Sequence, residues 1–206
     1  VGIVTIHLSP HVFSGVSVFK NVIKNPSNII HSVESISSNE LTSLHQWNRA
    51  RVVAQGGMSE IQEVRTNMSM YLGVYPEVKD QNSPLNILNT INKELHSCFS
   101  ACVKHYSEQF CFEIDTEKSK GYTVLKYSTG QQYVNHLDRS ERTPRTVSAV
   151  GYLNDEYVGG EIDFDKINFT YKPSAGDIVV FNSDEPYSHA SLPIREGVKY
   201  AVVNWW

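Results

Sequence analysis

The sequence predicts a mainly β fold, a sandwich or barrel, with supporting helices confined to the N-terminal half. Short β-branched and aromatic runs recur at close spacing after Gly121, separated by Gly, Asn and Asp. No long helical pattern interrupts them. Upstream, apolar residues recur instead at spacings of three and four, the period of a half-buried helix.

Taken in order, residues 1–8 are apolar and short and read as a first strand. Asn25-Pro26-Ser27 opens a helix to about Glu34, with Ile29, Ile30 and Val33 on its apolar side. Residues 40–80 are mixed, and Gly56-Gly57 and Tyr75-Pro76 act as loop punctuation. A clearer helix begins at Ser83-Pro84, a cap followed by Pro at the first helical position. It carries Leu85, Leu88, Ile91, Leu95, Cys98, Phe99, Cys102, Val103 and Tyr106, so one face is buried. Strands follow over 122–127, 133–136, 146–153, 161–164, 168–171, 177–181 and 199–206. The long helices are expected to pack outside one sheet. Residues 1–206 are expected to form a single domain, with a helical support region over 1–118 and a β core over 119–206.

Composition narrows the functional classes. The 206 residues are 40% hydrophobic and 19% charged, ordinary for a globular chain that can bury a core without staples. Net charge is −4 and no basic block stands out, which argues against nucleic acid as a partner. No apolar run is long enough to span a bilayer and no signal-peptide pattern is seen, so a cytoplasmic protein with no membrane partner is expected. The Cys count is odd (Cys98, Cys102, Cys111), which suits a reducing compartment. Cys98 and Cys102 lie one helical turn apart on the apolar face and read as core thiols. Oligomeric state is left open.

The chemistry concentrates in Asn135-His136-Leu137-Asp138. His136 and Asp138, two apart on an extended strand, point to one face. A second imidazole from a later strand, His189, closes a set of two His and one carboxylate. Such a set occupies one face of a metal and leaves the other open, the facial triad of non-haem Fe(II) oxygenases. Lys199, ten residues after His189, can hold an anionic co-substrate beside the metal. With eight His in the chain, a chance His-x-Asp is nearly an even bet, so the motif alone decides little. The order of the surrounding pieces decides more. Tyr127 precedes the pair; Gly159-Gly160-Glu161, Lys172-Pro173-Ser174-Ala175-Gly176-Asp177, His189 and Lys199-Tyr200-Ala201 follow it, leading to Trp205.

In that order, residues 121–206 resemble the double-stranded β-helix (jelly-roll) core of the Fe(II)- and 2-oxoglutarate-dependent dioxygenases, nearest the prolyl 4-hydroxylase branch. Upstream, Glu63-Val64-Arg65-Thr66 and the helix after Pro84 resemble that family's support region more loosely. The resemblance implies Fe(II) held by His136, Asp138 and His189, with 2-oxoglutarate and O2 as co-substrates and ascorbate as a candidate accessory. It implies Lys199 as the partner of the far carboxylate of 2-oxoglutarate, with Arg195 the fallback cation, and Tyr127 as a second donor to that carboxylate. Lys rather than Arg at 199 resembles the collagen-type enzymes. Gly151 stands where some relatives carry a second aromatic, so contacts to the co-substrate on that side are expected to differ.

The implied reaction is hydroxylation of a C–H bond, most readily of proline in a Pro-containing peptide or protein. Arg65, Tyr133, Arg145 and Trp205 are the substrate-binding candidates, with Trp47, Tyr71, Tyr75 and Tyr157 as further aromatics in loop-rich segments. Arg139 and Arg142 are expected near the entrance. A hydroxylase of free amino acids or other small molecules is the alternative, followed by a non-catalytic binding module on the same fold.

Overall fold

The computed structural model describes residues 8–38, 46–49, 64–76, 78–80, 82–119 and 121–206. Gly56-Gly57 and the expected first strand, apart from Leu8, lie outside the described residues. Strands β1 (His11–Phe13), β2 (Val16–Phe19), β3 (Asn48–Arg49), β4 (Met68–Leu72), β5 (Tyr122–Tyr127), β7 (Val147–Tyr152), β11 (Ile178–Asn182) and β14 (Lys199–Trp205) form one eight-stranded sheet. Its order is β1-β2-β11-β7-β14-β5-β4-β3, antiparallel throughout. A second sheet joins β10 (Phe169–Tyr171), β9 (Ile162–Phe164), β12 (His189–Ser191) and β6 (Tyr133–His136). A two-stranded ladder pairs β8 (Tyr157–Gly159) with β13 (Ile194–Gly197). Two antiparallel sheets, with consecutive strands crossing between them, make the jelly-roll core.

Alternation along the large sheet gives each face its own core. Val124, Ala149, Val180 and Val202 point to one side, where they meet Ile29 and Val33 of α1 (Pro26–Ser38) and Leu95 and Phe99 of α2 (Pro84–Gln109). Their neighbours Tyr152, Phe181 and Ala201 point to the other side and pack with Ile162 and Phe164 of the second sheet. Each large apolar chain so buried stabilises the fold by roughly 1.5–3 kcal/mol. The helices therefore do pack outside one sheet. A polar latch fixes α1 there: Lys126 Nζ and Tyr200 Oη each donate to Glu34 Oε1 at 2.7 Å.

Several local expectations are corrected. α1 continues to Ser38 because Ile36 extends its buried stripe and no Gly or Pro intervenes. Ser83 occupies the cap position of α2, but its side chain makes no cap bond; its carbonyl accepts from Asn86 N at 3.0 Å instead. The β1–β2 hairpin escapes the sequence pattern because its strands are short, yet Ser14-Gly15, both at positive φ, marks its turn. β4 is Met-rich and lacks β-branched residues. β12 and β13 are short and separated by Pro193.

Candidate active site

β6 and β12 are neighbours in the second sheet, and His136 and His189 are direct register partners across them. Asp138 arrives differently from the expectation. β6 ends at His136, and Asp138 sits in a bend beyond the strand, pinned where Arg139 N donates to Ser183 O at 3.0 Å. The bend still turns the carboxylate between the two imidazoles: His136 Nε2 lies 3.7 Å from Asp138 Oδ1, and His189 Nε2 lies 3.7 Å from Asp138 Oδ2. Ligand atoms from all three residues fall within 4.8 Å of one another.

The protonation states suit a metal. Nδ1 of His136 lies 2.9 Å from Val134 O, and Nδ1 of His189 lies 3.1 Å from Tyr187 O. Each carbonyl places the proton on Nδ1 and leaves the Nε2 lone pair facing its partners. Burial pushes His189 down to about 4, so it is neutral at neutral pH. Burial alone would raise the Asp138 carboxyl, but the adjoining imidazoles and the Ser148 hydroxyl hold it well below the usual range. Two imidazole nitrogens and one carboxylate, converging and supported from behind, fit a first-row divalent ion with open positions.

These residues open into a cavity of about 110 Å³. The nine leading candidates from the sequence line it: His136, Asp138, His189, Lys199, Tyr127, Arg65, Tyr133, Arg145 and Trp205. Lys199 is only 3% exposed, and its Nζ donates to Gly160 O at 2.7 Å and Ser191 Oγ at 2.8 Å. Among the described residues no carboxylate lies within hydrogen-bond reach of it. Burial, helped by the nearby Lys172 charge, pushes its pKa down to about 7. Tyr127, its register partner on β5, lies with its ring 5.1 Å from Nζ, and burial raises the phenol to about 12.

At the opposite end, Tyr133 stacks on the His136 imidazole at 3.6 Å between ring centres. The Arg65 guanidinium lies 4.8 Å from the Tyr133 ring, brought there by an isolated bridge between residues 65 and 133. Arg145 lies over the Trp205 indole at 3.8 Å and reaches Asp138 O at 3.3 Å.

Other candidates sit elsewhere. Trp47 packs near Tyr200 on the helix side of the large sheet, Tyr71 is exposed, and Tyr75 lines a separate cleft beside α2. Tyr157 is buried in the barrel wall without reaching the cavity. Arg139 pairs with Asp184 at 3.5 Å, while Arg142 and Arg195 are exposed. Gly151 faces the helices: a Cβ there would lie 2.8 Å from Phe99 Cζ. Its lack of a side chain therefore makes room for α2 and has no bearing on the cavity. Ser191 and the wall formed by Leu125, Val150, Tyr152, Ile162, Ala201 and Val203 were not picked out from the sequence. Ser191 lies two residues after His189 on β12, so strand alternation would have placed it on the same face.

The sequence model of the 2OG-Fe(II) oxygenase superfamily matches residues 122–206. An Acanthamoeba polyphaga mimivirus protein named "Putative prolyl 4-hydroxylase" is 29% identical over 126 residues, 50% of this chain and 52% of the relative. The chain thus spans about half the length of that curated relative. Solved structures share the fold. A prolyl hydroxylase from Trichoplax adhaerens, in complex with a hypoxia inducible factor peptide fragment, superposes with TM-score 0.66 at 17% identity over 93% of this chain and 82% of that one. A Pseudomonas putida prolyl-4-hydroxylase gives 0.62 at 19% identity over 93% and 91%. The viral collagen prolyl hydroxylase of Paramecium Bursaria Chlorella virus-1, with 2-oxoglutarate bound, gives 0.61 at 15% over 93% and 95%.

Proposed function

We propose, from the match of residues 122–206 to the model of the 2OG-Fe(II) oxygenase superfamily, that this chain is a 2-oxoglutarate-dependent dioxygenase hydroxylating proline in a peptide. The family implies Fe(II), 2-oxoglutarate and O2; ascorbate is proposed as the reductant that keeps the iron ferrous. Bound iron supplies the O2 chemistry, in which 2-oxoglutarate, O2 and a C–H bond become succinate, CO2 and C–OH. His136, Asp138 and His189 would hold the metal.

The observation that carries the reading is Lys199. A buried ammonium with only neutral hydrogen-bond partners, in the same cavity as the triad, suits an anion that docks there. Lys199 would take the far carboxylate of 2-oxoglutarate. Tyr127, kept protonated by its raised pKa, would add a hydroxyl donor. The apolar wall excludes water, which strengthens these contacts. Tyr133 and Trp205 border the triad and would guide the peptide.

The test is incubation with Fe(II), 2-oxoglutarate and O2 against Pro-containing peptides, free proline and unrelated amino acids, scored by mass spectrometry for one added oxygen. A hydroxylated peptide with matching succinate is expected. Product from free amino acids alone would move the substrate to small molecules and leave the dioxygenase reading standing.

A further inference from the structure

We infer that the peptide taken by this site carries carboxylates close to the hydroxylated residue, recognised by Arg65 and Arg145. This rests on the peptide reading above and adds the chemical character of the sequence around the target.

The argument is one of charge. Three cations line the cavity (Arg65, Arg145 and Lys199), but among the described residues Asp138 is the single carboxylate in the lining. A ferrous ion, the Asp138 carboxylate, doubly anionic 2-oxoglutarate and the Lys199 ammonium cancel one another. Both guanidinium groups are left over. Among the described residues neither has a carboxylate outside the triad within 4 Å. Arg65 uses Nε on Asn67 Oδ1 at 2.9 Å, a neutral acceptor, and lies over the Tyr133 ring. Arg145 lies over the Trp205 indole and reaches Asp138 at long range, 3.3 Å to the carbonyl and 3.6 Å to the carboxylate, and that carboxylate belongs to the triad. Most of the five N–H donors of each guanidinium therefore stay available.

Their position suits a substrate. Arg65 is coupled through Tyr133 to the His136 ring, and Arg145 touches Asp138, so each stands beside a different member of the triad. Both line the cavity that holds the triad, so a peptide reaching the triad would meet them. Half-buried guanidinium groups bind carboxylates in preference to amides, because the pairing is charge-assisted and can be bidentate. Arg139, in the same loop as Arg145, is already matched by Asp184, and neither it nor the exposed Arg142 lines the cavity.

The test is direct binding, which needs no turnover. The chain is loaded with Fe(II) and 2-oxoglutarate under nitrogen and titrated with blocked peptides differing only in Glu, Gln or Lys on both sides of one proline. The Glu peptide is expected to bind at least about tenfold tighter than the Gln peptide, with the Lys peptide weakest, and the gap should close as salt rises. In Arg65→Gln the Glu-to-Gln ratio falls towards one. Arg145→Gln does the same, read at equal iron content because Arg145 touches Asp138. Equal affinity for the Glu and Gln peptides, or no binding of any peptide, overturns the inference. Tight binding of the Glu peptide with no hydroxylated product once O2 is admitted would instead overturn the prolyl hydroxylase reading and leave the acidic preference intact.

Discussion

Lys172 and Lys199 hold the two consecutive carbonyls of one turn. Lys172 Nζ donates to Gly159 O at 2.6 Å, and Lys199 Nζ donates to Gly160 O at 2.7 Å. Both glycines have positive φ, 82° and 66°. The turn thus sets the height at which Lys199 enters the cavity, and it does so with a second cation close by.

Gly160→Ala should damage this arrangement. Its Cβ would lie 2.4 Å from Ile194 Cδ1 and 3.2 Å from Lys199 Cδ. Left-handed backbone costs a non-glycine residue about 1–2 kcal/mol before any clash. The expected result is a lower midpoint in urea together with a several-fold higher KM for 2-oxoglutarate. An unchanged KM would show that the turn does not position Lys199.

The pH dependence of 2-oxoglutarate binding follows from Lys199. Burial first, then Lys172, pushes its pKa down to about 7 in the free protein. A docked carboxylate favours the ammonium, so the pKa in the complex is higher. Affinity should be flat below about pH 7 and fall as pH rises beyond it, by up to about tenfold per unit. Stability of the ligand-free fold runs the other way. Between about pH 7 and the unfolded value near 10.5 the unfolded chain binds the extra proton, so stability rises with pH across that window. Calorimetric titration from about pH 6 to about pH 9 reads the first effect. Constant affinity across that range would refute it.

Lys199→Ala should weaken 2-oxoglutarate by on the order of 2–5 kcal/mol while leaving iron affinity close to normal, because the lost contact is to the co-substrate alone. Arg195→Ala should leave the KM for 2-oxoglutarate unchanged, since Arg195 is exposed and outside the cavity. The opposite ranking of the two variants would assign the anchor to Arg195.

Loss of any one of His136, Asp138 or His189 to Ala should abolish turnover and reduce iron binding by at least about a hundredfold. The circular dichroism spectrum should be retained, although His189→Ala also removes a ring packed on Phe181 at 4.7 Å and Phe164 at 5.6 Å and so lowers stability. Near-normal iron binding in one of the three variants would remove that residue from the ligand set.

Gly151→Ala should destabilise the fold by roughly 1–3 kcal/mol through overpacking against Phe99 and Ile23. The KM for 2-oxoglutarate should not move. A changed KM with unchanged stability would return Gly151 to the co-substrate side.

The sequence made the barrel and its triad readable where chemistry was local. His136 and His189 stood out because few other arrangements explain their order with Lys199. Lys199 itself was legible as an unpaired cation on an apolar strand. Strand alternation accounts for part of the rest. It predicts that Asp138 shares a strand with His136, whereas a bend beyond the strand end produces the same convergence. It also predicts the side of Gly151, since Tyr152 pointing inward means that Gly151 points outward. Arg65 illustrates the real limit. Residues 65 and 133 meet through one isolated bridge, and nothing local to either position announces a contact so distant in sequence.

β14 carries opposite duties on successive residues: Lys199 lies inside the barrel, and Tyr200 is tied to Glu34 on the other side. The evolutionary consequence concerns length rather than composition. A one-residue slip of β14 against β5 and β7 would exchange the two faces, turning a phenol towards the triad and an ammonium towards Val202's apolar neighbours. Substitutions can be tested one at a time along this strand, but a frame change of a single residue fails at every position together. Lineages related to this chain should therefore vary freely in loop length around β14 and hold constant the distance from residue 199 to residue 205.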